Sequence, residues 1–150
     1  MLSGWSRRIA RTSGVVAIDA LTGSTLWTAD VGGTLEWTAS DGGIVYAPTF
    51  NGPEQIGVPG ELVALDAHSG KKLWAHHFAE GAPLNLQPAG AVVYTGFRSN
   101  VMHALDSRTG DTLWTYTMPL AGDDQLSGIA LTAGRVLLAS LNGTIFALEA

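Results

Sequence analysis

The sequence predicts an all-β fold: a partial β-propeller of four-stranded antiparallel blades, about three blades in an open ring. Three observations predict it. One phrase recurs as VVAIDALTGSTLW (15–27), LVALDAHSGKKLW (62–74) and MHALDSRTGDTLW (102–114), with a shortened copy, IFALEA, at 145–150. The acids that anchor the copies (Asp19, Asp66, Asp106 and Glu149) stand 47, 40 and 43 residues apart, within the range of about 40–50 residues for propeller blades. Two further strand-like runs fit between successive phrases, and no long segment carries a capped helical period.

Each phrase predicts a hairpin. Val15, Val16, Ala17 and Ile18 form an apolar, partly β-branched strand. Asp19, like Asp66 and Asp106, opens a turn by accepting backbone N–H groups, and Thr22, Ser69 or Thr109 adds a hydroxyl. Gly23, Gly70 and Gly110 supply the positive φ that a tight turn requires. The return strand carries a Leu-Trp pair: Leu26-Trp27, Leu73-Trp74 and Leu113-Trp114. Adjacent strand residues face opposite sides, so two large apolar neighbours imply a sheet covered on both faces. Ala17, Ala64 and Ala104 precede each acid by two positions and leave room for a bulky occupant, which the tryptophan provides. An indole removes about 150–250 Å² from water on burial, so Trp27, Trp74 and Trp114 are expected to hold neighbouring blades together.

The runs at 43–46, 91–94 and 135–138 predict second strands, and 34–40, 83–88 and 126–132 predict short inner ones. The resulting organisation is an irregular or truncated segment at 1–13, then repeats over 14–150. These comprise a partial blade at 14–30, blades at 31–78 and 79–118, and a partial blade at 119–150. That amounts to thirteen strands. Closed propellers have typically 4–8 blades, so this chain does not close a ring by itself. The expectation is a fragment of a longer propeller. If the chain is complete, the expectation becomes a homo-oligomer in which each end completes its partner's blade.

Composition narrows the function classes. Among 150 residues, 46% are hydrophobic and only 14% charged, and glycine contributes 19; such a chain folds around a core. A net charge of −5 with eight cations argues against nucleic-acid binding. No apolar run is long enough to predict a transmembrane segment. With no cysteine, disulfides and thiolate metal sites are excluded. Arg7, Arg8 and Arg11 lead directly into a strand, without the apolar core of a signal peptide.

The candidate sites are few. The insertion at 51–60 lies between second and third strands, on the face of the blade crossovers. Its polar groups Asn51, Glu54 and Gln55 form a candidate binding loop. No catalytic residue and no metal ligand set is assigned. The periodic aspartates are read as turn caps, and Asp123-Asp124 as a solvated loop. His76 and His77 are neighbours on one strand, so they point apart and cannot jointly chelate. His103 is read as a satisfied histidine at a blade interface, and Trp37 as packing.

The phrase Ala-Leu-Asp-x-x-(Ser/Thr)-Gly-x-x-x-Trp resembles the tryptophan-docking repeat of the PQQ-like, or quinoprotein-like, β-propellers, over about residues 14–150. The period also suits WD40 architecture, but the sequence contains no Trp-Asp dipeptide. The resemblance implies several expectations. The family includes dehydrogenases that hold pyrroloquinoline quinone and calcium, non-catalytic outer-membrane assembly lipoproteins, and sensor domains of bacterial membrane kinases. Most members are periplasmic or extracellular, and cofactor or partner sites usually sit on the crossover face. The dehydrogenases also use an adjacent Cys-Cys disulfide, which this sequence lacks. The expected function is therefore a non-catalytic binding or scaffold module for protein partners or further propeller blades, with no cofactor predicted. PQQ and calcium would follow only from the resemblance. The alternatives are a piece of a PQQ-dependent quinoprotein dehydrogenase and the sensor propeller of a membrane kinase.

Overall fold

The computed structural model describes residues 13–35, 37–50, 59–132 and 134–149. Within them the chain is all-β, an open partial propeller built from successive antiparallel sheets. The first sheet is the hairpin β1 (Gly14–Ile18) and β2 (Thr25–Asp30). The second holds β3 (Thr34–Leu35), β4 (Ala39–Asp41), β5 (Ile44–Phe50), β6 (Gly60–Asp66) and β7 (Lys72–Phe78). The third holds β8 (Asn85–Ala89), β9 (Val92–Gly96), β10 (Val101–Asp106) and β11 (Thr112–Thr117). The last holds β12 (Leu126–Thr132), β13 (Arg135–Ser140) and β14 (Ile145–Glu149).

Chain order equals spatial order in every sheet, as an up-and-down blade requires. The described residues contain fourteen strands rather than thirteen, because the inner strand of the second sheet is interrupted. β3 pairs with the far end of β5 (Leu35 opposite Thr49), while β4 pairs with its near end (Ala39 opposite Tyr46).

Alternation along the strands places two apolar sets on opposite faces of each sheet. Sheet stacking buries both sets in the two middle sheets and one set in each end sheet, in three layers. The leucine of each Leu-Trp pair, expected to be covered, instead sits at a register shift and stays exposed at Leu26, Leu73 and Leu113. Val15, Trp27 and Ala29 of the first sheet meet Ala47, Val63 and Leu65 of the second. Tyr46, Leu62 and Trp74 of the second meet Val93, Phe97 and Leu105 of the third. Tyr94, Met102 and Trp114 of the third meet Val136, Leu138 and Phe146 of the last. The core is therefore a series of slabs, one per junction.

Glycine lets the sheets approach at two points. A Cβ on Gly60 would collide with the backbone of Gly81 and Ala82, and one on Gly96 with the side chain of Leu126.

Candidate functional site

The singled-out residues converge on the junctions between sheets. In register, Ala17 lies opposite Trp27, Ala64 opposite Trp74 and Ala104 opposite Trp114, each within one sheet. On the other side of Ala64 stands Tyr46, and beside Ala104 stands Tyr94. The small residue lets tyrosine and tryptophan approach across it. Their ring centroids are 6.0 Å apart for Tyr46 and Trp74, and 5.9 Å for Tyr94 and Trp114. Burial pushes the Tyr46 hydroxyl up to about 12, against a hydrogen bond with Ser107 that acts the other way.

The indole itself reaches the following sheet. Trp27 Nε1–H donates to the carbonyl of Ala67 (3.0 Å), and Trp74 Nε1–H donates to that of Ser107 (3.0 Å). Each acceptor directly follows the turn aspartate of the next sheet. The ring then lies on the turn glycine. A Cβ on Gly70 would come 2.5 Å from Trp27 Cε3, and one on Gly110 2.6 Å from Trp74 Cε3. Both glycines also have positive φ, 71° and 78°, so two constraints act on each. Gly23 shares the positive φ, 72°, but has open space where its counterparts meet an indole.

The aspartates hold those turns in shape. Asp19 Oδ1 accepts from the N–H of Thr22 (2.7 Å), the Thr22 hydroxyl (2.9 Å) and the N–H of Leu21 (3.0 Å). Asp66 Oδ1 accepts from the hydroxyl (2.6 Å) and N–H (2.7 Å) of Ser69. Asp106 Oδ1 accepts from the N–H groups of Arg108 (2.8 Å) and Thr109 (3.0 Å), while the Thr109 hydroxyl donates to Asp111 instead. These bonds favour the ionised form and hold all three carboxyls below the usual carboxylate range.

The histidines divide between surface and junction. His76 Nδ1–H donates to the carbonyl of Gly110 (2.7 Å), so this side chain bridges the second and third sheets, while His77 is exposed and 3.7 Å from Glu61. His103 is only half satisfied: Nδ1 is bonded to the Thr115 hydroxyl (2.9 Å), but buried Nε2 has only a 3.4 Å approach to Glu80. It packs against Phe78 and Phe97. Burial pushes its pKa down, and nearby Glu80 offsets part of that shift.

The Asp123-Asp124 pair is not simply a solvated loop. Asp124 is buried, and its carboxylate accepts from the N–H groups of Gln125 (2.9 Å) and Asn142 (3.0 Å). Burial works against the ionised form here, but hydrogen bonds from Ser140, Asn142 and Gln125 outweigh it and leave the carboxyl lowered. Two inter-sheet struts escape sequence reasoning. Asp41 Oδ2 accepts from the N–H of Gly90 (2.7 Å). Asn100, at φ 62°, donates to Asp124 O (3.1 Å) and accepts from Leu126 N–H (3.3 Å). The left-handed tolerance of Asn is a faint signal for the second; the first has none. Trp37 lies with Leu35 beside β1, along a shallow groove.

The candidate loop residues Asn51, Glu54 and Gln55 lie outside the described residues. Among the described residues, no group of three or more His, Asp or Glu is placed to hold a metal ion, and no helix is long and apolar enough to cross a membrane.

Radially stacked antiparallel sheets, joined by one repeated indole-to-turn contact, define a β-propeller repeat protein. A family model described as outer membrane protein assembly factor BamB matches residues 11–150. The chain belongs to this PQQ-like repeat family. It is similar to the serine/threonine-protein kinase AfsK of Streptomyces griseus, with 28% identity over 93% of this chain and 18% of the kinase. This chain therefore spans less than a fifth of that relative's length. Among solved structures it superposes on BamB from Moraxella catarrhalis with a TM-score of 0.71 and 24% identity, covering 93% of this chain and 40% of the other. The computationally designed Ika4 protein gives a TM-score of 0.72 at 14% identity, covering 91% of this chain and 79% of Ika4.

Proposed function

We propose that the chain is a non-catalytic propeller segment that binds and scaffolds protein partners. One observation carries the reading. Among the described residues, the repeated polar and aromatic side chains are engaged in bracing: Asp19, Asp66 and Asp106 hold their turns, and His76 and Trp74 join sheets. What remains is a stiff frame that presents loops. Membership in a family described as an assembly factor supports it. The loops on the crossover face, joining second to third strands, are the surface assigned to partners. The open end sheets are assigned to further blades, from the same polypeptide or from another copy.

Two measurements test this. A photo-crosslinking residue at Ser99, in the β9–β10 loop on the crossover face, is expected to give discrete protein adducts in the native cell. The same residue at Arg108, in a turn on the opposite face, is expected to give none. Absence of adducts from both positions would overturn the reading. A saturable, calcium-dependent absorbance change on titration with pyrroloquinoline quinone would also overturn it, in favour of a dehydrogenase segment. The likeness to AfsK favours a second reading, a sensor propeller attached to a bacterial membrane kinase. A kinase domain encoded in the same reading frame would establish that version.

A further inference from the structure

Asn-Gly is the dipeptide in which an asparagine most readily loses its amide, because glycine puts no side chain in the way of the backbone nitrogen. The chain carries it twice, at Asn51-Gly52 and Asn142-Gly143, whereas Asn85 and Asn100 precede leucine and valine. Asn51 lies outside the described residues. Asn142 and Gly143 lie in the β13–β14 turn, and both are exposed. In that turn Ser140 N–H donates to the carbonyl of Thr144 (2.9 Å), and Gly143 N–H to that of Ser140 (3.2 Å). Gly143 has φ 85°, and a Cβ placed on it would meet nothing within 4 Å, so the space over the peptide is open. The β9–β10 turn has the same pattern: Phe97 N–H donates to the carbonyl of Val101 (3.0 Å), and Asn100 N–H to that of Phe97 (3.2 Å). There Ser99 takes the place of Asn142 and stays exposed although another sheet follows. The exposure of Asn142 thus belongs to the turn and not to its rank in the chain.

The turn is also tied to the segment that enters the last sheet. Asn142 N–H donates to Asp124 Oδ1 (3.0 Å), and Leu141 N–H to the carbonyl of Gln125 (2.9 Å). We propose that this turn modifies itself: the backbone nitrogen of Gly143 attacks Cγ of Asn142, and the resulting isoaspartate loosens the turn from Asp124. In the first step the Gly143 nitrogen gives up its proton, the N–Cγ bond forms, the Cγ–Nδ2 bond breaks, and the amide leaves as ammonia. The succinimide so formed then takes up one water. Opening at the backbone carbonyl of residue 142 reroutes the main chain through Cβ and Cγ as isoaspartate, and opening at Cγ yields aspartate. Nothing is oxidised or reduced. The attack requires Gly143 N–H to leave Ser140, and the 3.2 Å bond that holds it is long beside the usual distance of about 2.9–3.0 Å. Either product puts a negative charge on the residue whose N–H the Asp124 carboxylate holds, and isoaspartate also adds a carbon to the main chain inside the turn. The site stands whatever the crossover face binds.

Peptide mapping of the folded chain after incubation in warm, mildly alkaline buffer tests this. Trypsin releases residues 136–150, in which Asn142 is the one side-chain amide, and residues 99–108, in which Asn100 is. The first fragment is expected to gain one mass unit progressively, faster as pH rises, and to accept a methyl group from S-adenosylmethionine through an isoaspartyl methyltransferase. The second is expected to stay unchanged. Asn142→Ser and Gly143→Asn install the residues of the β9–β10 turn, so both variants are expected to fold. The first abolishes the gain, and the second slows it severalfold. By hydrogen exchange, converted chains are expected to lose the protection of Leu141 that unconverted chains keep. A fragment that holds its mass in the folded chain, while the same peptide cut free converts in the same buffer, would overturn the proposal. Equal protection of Leu141 in both forms would overturn the loosening from Asp124.

Discussion

The turn glycines allow backbone strain to be separated from the steric contact with the indole. Gly23 and Gly110 have nearly the same positive φ, 72° and 78°, but only Gly110 lies under an indole, with its would-be Cβ 2.6 Å from Trp74 Cε3. Left-handed backbone costs a non-glycine residue roughly 1–2 kcal/mol, and that is the whole expected effect of Gly23→Ala. Gly110→Ala adds an overlap with the ring at a packed site, for which overpacking typically costs about 1–3 kcal/mol. The sum is about 2–5 kcal/mol, a large share of the roughly 5–15 kcal/mol stability of a natural domain. Urea unfolding followed by tryptophan fluorescence and circular dichroism reads the difference directly. With a slope of about 1–3 kcal/mol/M, Gly110→Ala is expected to lower the midpoint well beyond Gly23→Ala. Repeating Gly110→Ala in a Trp74→Ala background removes the collision, so its cost is expected to fall to that of Gly23→Ala. A coupling under about 0.5 kcal/mol between the two sites, the level at which independent sites add, would refute the claim that this indole rests on that glycine.

Other outcomes follow from the same junctions. Trp74→Ala is expected to destabilise by about 3–5 kcal/mol through the cavity it leaves. Half-buried Trp114 is expected to cost less on the same change, by chemical denaturation. His103 has a depressed pKa when folded, so its contribution to stability is present above the ordinary histidine value near 6.5 and is lost as pH falls through the lower folded value. The measured decline in stability from about pH 6.5 downward is expected to flatten in His103→Val, which installs the residue found at the same place in β6. The three turn carboxyls, lowered in the folded state, contribute stability above about pH 4 that fades in stronger acid. Asp66→Asn and Asp106→Asn together are expected to shrink that acid transition in a pH-jump unfolding series. Asn100→Gly keeps the left-handed backbone and removes two inter-sheet bonds. Its expected cost is about 1–3 kcal/mol, read as faster amide exchange in β12, β13 and β14 than in β1.

Much of the fold was legible because a repeated phrase multiplies a weak local signal. One Ala-x-Asp-x-x-x-Gly hairpin is ambiguous, but three at blade spacing, with strand-like runs between, leave little else. Less was legible about how sheets touch. The alanines sit across from the tryptophans within their own sheets, with Tyr46 and Tyr94 beyond Ala64 and Ala104, whereas the indoles land on glycines 43 and 36 residues further along for Trp27 and Trp74. Nothing local encodes such a partner. The interruption of the inner strand between β3 and β4 was likewise hidden, since Thr34 to Ser40 reads as one weak run. Asp124 was misread for a related reason. Its acceptor role depends on Asn142, which the chain brings back only after two strands. The long insertion announced itself by breaking the period, but Asn51, Glu54 and Gln55 fall outside the described residues.

Every indole clasp points the same way around the axis, from one sheet to its successor. Each of the first three sheets therefore carries a plug on one side (Trp27, Trp74 or Trp114) and a socket on the other (the turn of Gly23, Gly70 or Gly110). Gene duplication or excision of one such unit would leave the clasped seams chemically matched. Ring size in such chains can thus drift by whole steps, limited by the geometry of closure rather than by the wording of any seam.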